Sequence, residues 1–556
     1  MSTSTTTTAT SAPEPWQNIA QRKQAQRASL IPEAWRIPEA KLREYTASPT
    51  ANVLHVPSDC GILSSLDRQI TESYDAIDLL ALLAKGPDAG GFTSVEVVTA
   101  FCKRAAIAQQ VTNCVTEILF ESAIARAEEL DRQRAANPSA ALPPLWGLPI
   151  SLKDCFKVPG VDASIAMIHF AEKPSTEYSA LPQLLLSLGA VFHCKTNVPQ
   201  TMMTADSDSN VFGRTMNPNN RALTAGGSSG GEGALVAMRG SILGVGSDIA
   251  GSIRIPSHCN GTYGFKPSAN IVPYAGQANP AADGLAGILP VAGPLATSFR
   301  SCRYFMQLVM SSQPWKYDMD CLHIPWLGLK PPAGRNLRIG VINDDGLFTP
   351  TPPQKRTLEE AKAKLKAAGV ELVDVQLPNL MEDVAVAWAC FGMEASRTAL
   401  GYLAAAGEPK IKSVENIGLT GGTGMTIEDL FAWNVARSKV EAKHRDLWVS
   451  SNVDAYINLL VPHTAPRIDT WTTVVQALWN LIDYPSCIIP TGKVSEVDVV
   501  DPNGAKFGDA DRALYEQYTG PEDFKGAPTS IQVIGLRQED ENLSIVAEMI
   551  DKILNP

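Results

Sequence analysis

Residues 223–256 read LTAGGSSGGEGALVAMRGSILGVGSDIAGSIRIP, a glycine-dense run that presents two serines in tight settings. Ser228 sits in GGSSGG and Ser252 in SDIAGSIR. Glycine permits positive φ and close backbone approach, so a dense run marks backbone shaped for a purpose. Such backbone can aim N–H groups inward, which is how an oxyanion site is built. A serine hydroxyl is a poor nucleophile until a base takes its proton. His258 is the one histidine near these loops. The other candidate base is Lys153, at the end of the apolar run LPISL. A lysine acts as a base only when neutral, and burial behind an apolar strand depresses its pKa in that direction. From the residues alone, the two serines are equivalent candidates for the nucleophile. Cys155, two positions beyond Lys153, suggests a Cys-Lys arrangement, but reads more simply as a small core residue at a strand end. GVGSDIAG at 244–251 differs in spacing from a dinucleotide fingerprint, and no amphipathic helix is expected to open after it.

Outward from this region, helix and strand patterns alternate. TSVE at 93–96 is a capping box ahead of apolar positions Val97, Val98, Phe101, Ala105 and Ile107 at helical spacing. A second helix is expected over 123–135, and Pro143-Pro144 breaks the chain before a strand at 148–152. An apolar helix, Gly189 and a strand at 190–194 follow one another from 183 to 195. The same order recurs at 358–368, Gly369 and 370–375, and again at 474–482 with 487–490. A late strand at 531–535 and a closing helix at 542–554 end the pattern. This alternation predicts an α/β layered fold with a mixed sheet. Residues 1–15 form a Ser/Thr/Ala-rich tract without an apolar core, expected to be a disordered tail and not a secretory signal. Residues 16–60 read as an N-terminal arm, polar and helical in pieces.

The bulk properties narrow the function. Of the 556 residues, 45% are hydrophobic and 19% charged, and the net charge is −11. With no Lys/Arg block, an electrostatic footprint for nucleic acid is missing. No run approaches the ~18 apolar residues of a membrane span. The ten cysteines are dispersed without a C-x-x-C pair, which reads as reduced core residues of a cytoplasmic protein. The seven histidines form no ligand-spaced pair, so no metal is expected, and no other cofactor.

Taken together, GLPISLKD (147–154), GGSSGGE (226–232) and DIAGSIR (248–254) resemble the amidase signature family, in their residues and in their separations. The likeness runs from about Gly61 to the C-terminus and includes KTNVPQ (195–200), GFKP (264–267) and PTSIQV (528–533). FCKRAAIAQQ (101–110) and QPWKYD (313–318) look like segments of the fungal acetamidases and general amidases, and the separations of Lys153, Ser228 and Ser252 look like those of the fatty acid amide hydrolase branch.

The resemblance implies one large mixed β-sheet covered by helices, with 61–556 as the catalytic domain. It also implies hydrolysis of a linear carboxamide to a carboxylate and ammonia or an amine, through an acyl-enzyme. In that scheme Ser252 is the nucleophile, Ser228, held by a cis peptide, relays the proton, and Lys153 is the terminal base. The N–H groups of Ile249, Ala250, Gly251 and Ser252 form the oxyanion hole. Ser229, Asp248 and Arg254 position the loops, with simple turn hydrogen bonding as the alternative for Ser229. Met202, and less so Met203, falls at a substrate-lining position. Where many members have Gly-Gly before the nucleophile, this chain has Ala250-Gly251, so Ala250 must adopt an ordinary backbone region. A small-molecule amide is the expected partner, with a homodimer as the family-level assembly. The rival activities are hydrolysis of longer fatty acyl amides and the glutaminase subunit of an amidotransferase.

Overall fold

The computed structural model describes residues 14–285, 287–331, 336–418, 421–473 and 475–556. Most of the expected tail and the expected helical position Val474 lie outside them. The described strands form one mixed sheet of eleven: β1 (Val115–Ile118), β2 (Pro149–Lys153), β3 (Val191–Thr196), β4 (Leu243–Asp248), β5 (Tyr263–Lys266), β6 (Val291–Ala296), β7 (Arg338–Val341), β8 (Glu371–Asp374), β9 (Ala455–Asn458), β10 (Ser486–Lys493) and β11 (Pro528–Ile534). Their spatial order is β1-β3-β2-β4-β6-β5-β10-β11-β9-β7-β8. The α/β fold with a single large mixed sheet is therefore as expected.

The strands beside the glycine-dense region are buried on both faces, as every residue of β2, β3 and β4 shows. Sheets covered on both sides read as continuous apolar runs instead of alternating ones. β2 lies between β3 and β4 and is parallel to both. Its register with β4 pairs Ser151 with Gly244 and Leu152 with Val245. Lys153 and Ser247 thus emerge side by side at the carboxyl ends of parallel strands, the usual position of a ligand crevice in α/β sheets. Gly246 belongs to this close packing: a Cβ there would stand 2.7 Å from Leu295 Cδ1 and 2.9 Å from Ser229 Oγ.

Helices cover both faces. The helix Ser94–Thr112 carries the expected capping box, Thr93 with Glu96. The next helix runs Phe120–Ala136 and begins three residues before the expected start, where Phe120 is buried in the core. β3 continues through Lys195 and Thr196. Lys195 can remain in a buried strand because its Nζ donates to the Asp162 carbonyl and lies 3.8 Å from Asp154 Oδ1. A helix does follow the 244–251 turn, over Arg254–Asn260, and all seven of its residues are buried. Enclosed on every side, it buries the polar Arg254, Ser257, His258 and Asn260 together with its apolar residues, so no apolar stripe against a solvent face marks it in the sequence.

The first described segment forms helices Trp16–Ser29 and Glu39–Thr46 with a short turn between them. Lys23 fastens the first helix to the body through buried ion pairs with Glu117 on β1, at 2.6 Å, and Asp162, at 2.9 Å. All ten cysteines are buried and unpaired. No described helix is long and apolar enough to cross a membrane.

Candidate active site

Lys153, the last residue of β2, is fully buried. Its Nζ donates to Ser228 Oγ at 2.7 Å and to Ser247 Oγ at 2.8 Å. Burial pulls its pKa down from 10.5 to about 8, outweighing the opposing pull of Cys155, Asp248 and Glu232. The lysine is therefore poised to be neutral in mildly alkaline solution, and a neutral amine offers a lone pair to the Ser228 hydroxyl. Glu232, in the first turn of the helix Gly230–Ala237, is also buried and is pushed up to about 7 by that burial. Hydrogen bonds from Ser151 Oγ and Thr196 Oγ1 oppose this rise and tie the carboxyl to β2 and β3.

The Gly227–Ser228 peptide is cis, the geometry that the resemblance implies for Ser228. The following residue joins the two serine loops. Ser229 donates its N–H to the Ser252 carbonyl at 3.2 Å, and its Oγ exchanges 3.3 Å hydrogen bonds with the backbone C=O and N–H of Ser247.

The turn carrying Ser252 is organised by Asp248. Its Oδ1 accepts from the Gly251 N–H at 2.8 Å and Asn480 Nδ2 at 2.9 Å, and its Oδ2 accepts from the Ile253 N–H at 3.1 Å. Arg254 closes a fully buried ion pair, with Nε 3.0 Å from Oδ2, and reaches Asn480 and Gln532 with its other nitrogens. Burial alone would raise the Asp248 carboxyl, but the Arg254 charge prevails and holds it well below the usual carboxylate range. Removing one partner of such a pair strands the other charge. Arg254→Met is therefore expected to lower stability by about 3–5 kcal/mol, measured by denaturant titration, and to cost activity by loosening the Ser252 turn.

Gly251 lies at φ 114, a left-handed conformation, while Ala250 is absent from the positive-φ residues and meets the condition set by its side chain. The Gly251 N–H, one of four groups expected to face an oxyanion, is instead taken by Asp248. No described group accepts a hydrogen bond from the N–H groups of Ile249, Ala250 or Ser252.

Ser228 and Ser252 open onto the same cavity, of about 320 Å³, together with Ser247, Ile249, Met202 and Met203. A smaller space of about 50 Å³ also meets Ser252 and is lined by Trp388 and Trp471. Thr201 and Met202 both adopt positive φ, 69° and 56°, and this turn lines the cavity. Met203 lines it as well, although core packing is the simpler expectation for it from sequence. Two other lining residues, Tyr274 and Gln277, stand in no motif, while Ser247 opens the SDIAGSIR motif without being singled out there, its place beside Lys153 coming from the register of β4 against β2.

The other nucleophile and base candidates are accounted for by their surroundings. Cys155 is buried, its thiol pushed up to about 11 by that burial, and its Sγ donates to Gln277 Oε1 at 3.1 Å. His258 is buried away from the cavity, its nitrogens paired with Ser530 Oγ at 2.7 Å and the His463 carbonyl at 3.0 Å. Burial lowers its pKa to about 4, so it is neutral and structural.

The sequence model of the Amidase family matches residues 96–543. An amidase of Gibberella moniliformis is 35% identical over 96% of this chain and 98% of its own length. An acetamidase of Emericella nidulans is 35% identical over 98% of this chain and 99% of its own. Among solved structures, a fatty acid amide hydrolase superposes with a TM-score of 0.89 at 28% identity, covering 97% of this chain and 95% of that one.

Proposed function

The chain belongs to the amidase family of hydrolases acting on amides, and on that premise we propose that it hydrolyses linear carboxamides through an acyl-enzyme on Ser252. The observation that carries the proposal is the buried contact of Lys153 Nζ with Ser228 Oγ, 2.7 Å, at the wall of the cavity that Ser252 shares. Neutral Lys153 takes the Ser228 proton as Ser228 takes that of Ser252, and the Ser252 oxygen bonds to the amide carbon. The N–H groups of Ile249, Ala250 and Ser252 stabilise the oxyanion, where preorganised donors have their largest effect. The proton then returns along the same path to the amide nitrogen, and the C–N bond breaks with release of ammonia or an amine. Water repeats the relay against the acyl-enzyme, its oxygen enters the carboxylate, and Ser252 is regenerated. Acid and base roles must alternate on one short path because an amine leaves only when protonated.

The cavity favours substrates larger than a two-carbon amide. Its volume of about 320 Å³ falls in the roughly 300–1,000 Å³ range of small-molecule sites, which acetamide would leave mostly empty. Residues 61–556 serve as the catalytic unit and 16–60 as an arm on it, in a cytoplasmic, homodimeric enzyme. Ammonia or amine release by the purified chain, over amides of increasing length, tests the proposal. Turnover without a second protein, with kcat/KM rising beyond acetamide, is expected. Activity confined to glutamine in the presence of a partner would contradict it.

A further inference from the structure

We infer that Gln277 is a substrate-binding residue, and that the part of the substrate filling the larger cavity carries a neutral hydrogen-bond acceptor, such as an ether, hydroxyl or carbonyl oxygen. The inference rests on the amidase reading of the site and narrows its substrate class.

Two observations meet in the wall of that cavity. The Gln277 carboxamide is oriented from behind: Cys155 Sγ donates to its Oε1 at 3.1 Å, and the Ala278 N–H bonds the Cys155 carbonyl at 3.0 Å, which fixes the loop. With Oε1 engaged, the buried Nε2 has no hydrogen-bond partner within the protein. The hydroxyl of Thr201, a fully buried residue of the same wall, is likewise unpartnered. Buried donors are nearly always satisfied, so unpartnered ones in a ligand cavity are explained by the ligand. A site built around such a donor discriminates against the analogue that leaves it unpaired.

The charge of the cavity fixes the kind of acceptor. The charged side chains that line it, among the described residues, are Asp283 and Glu394. Glu394 is held in place by the Ala282 N–H at 3.1 Å and Thr398 Oγ1 at 2.5 Å. Arg397, the neighbouring cation, is exposed, donates to the Glu394 carbonyl, and is not part of the lining. Two carboxylates without a lining cation disfavour a carboxylate on the substrate, which leaves an uncharged oxygen as the acceptor.

The test is an oxygen scan. Two series of amides, one lengthened on the acyl side and one on the amine side, are compared with analogues in which a single CH₂ is replaced by oxygen. For wild-type enzyme, at least a tenfold gain in kcat/KM is expected at one position in one series, and a terminal carboxylate is expected to be the poorest substituent. Gln277→Leu and Gln277→Glu are both expected to erase that gain, read as the ratio of oxygen to methylene substrate within each variant. A flat scan, a preference for methylene throughout, or a wild-type preference for the carboxylate overturns the inference while leaving the amidase reading intact. A gain that persists in both variants overturns the role of Gln277. Absence of turnover in both series overturns the amidase reading, and this inference with it.

Discussion

Ser252→Ala is expected to lower kcat by about four orders of magnitude or more while leaving the folded protein unchanged. Removing the nucleophile of a serine hydrolase abolishes nearly all chemistry, and what remains comes from binding and oxyanion contacts. The structure gives reason to expect an intact fold. The Ser252 hydroxyl makes no hydrogen bond to the described residues, whereas its backbone carbonyl, which alanine retains, accepts from Ser229. The Asp248–Arg254 pair that shapes the turn is untouched by the change. Circular dichroism and the denaturation midpoint should therefore match wild type while ammonia or amine release disappears. Full activity of the variant on acetamide or an aryl amide would place the nucleophile elsewhere.

Lys153→Ala is expected to lose about two to four orders of magnitude in kcat/KM, the range of a general base. The pH dependence makes this prediction specific. Because burial lowers the lysine pKa, to about 8, the charged and inactive form dominates below that value and the neutral base above it. Wild-type kcat/KM should rise with pH through about 8 and then level off, and the residual rate of the variant should lack that step. The same shift affects stability. The folded pKa lies below the unfolded value of 10.5, so from about pH 8 to 10.5 the unfolded chain binds the extra proton. The cost of burying the lysine is thus present in full below pH 8 and is relieved as pH rises across this window. A variant with near-wild-type rate and an unchanged pH step would remove Lys153 from the mechanism.

The parts of the molecule that were legible in the sequence are those whose signal is local. The capping box at Thr93 and Glu96 announces its helix. Gly189 and Gly369 separate helix from strand, and each adopts the positive φ that a glycine there permits. The two serines proposed to react are recognisable because they stand in glycine-rich motifs whose backbone demands are local as well. What was not legible depends on contacts far apart in the chain. Ser247 opens the SDIAGSIR motif, but the motif does not show its contact with Lys153, 94 positions away, which comes from the register of β2 and β4. Gln277 depends in the same way on a thiol 122 positions away. Lys23 looks like one charge among many in a polar segment, yet it is buried because two distant carboxylates, Glu117 on β1 and Asp162 in a loop, meet it. The Gly251 N–H was an oxyanion candidate by position, but the Asp248 side chain folds back over the turn and takes it. Loop lining follows the same rule: Cys390, Phe391 and Glu394 reach the cavity only through tertiary packing of the helix Leu380–Phe391 and the residues after it.

The most direct test of the central claim, that Ser252 carries the acyl group, is peptide-level mass spectrometry after reaction with a fluorophosphonate. One adduct is expected, on the peptide containing Ser252, and it should be lost in both Ser252→Ala and Lys153→Ala under the same conditions. An unlabelled protein that still hydrolyses amides, or an adduct on Ser228 with Ser252 unmodified, would contradict it.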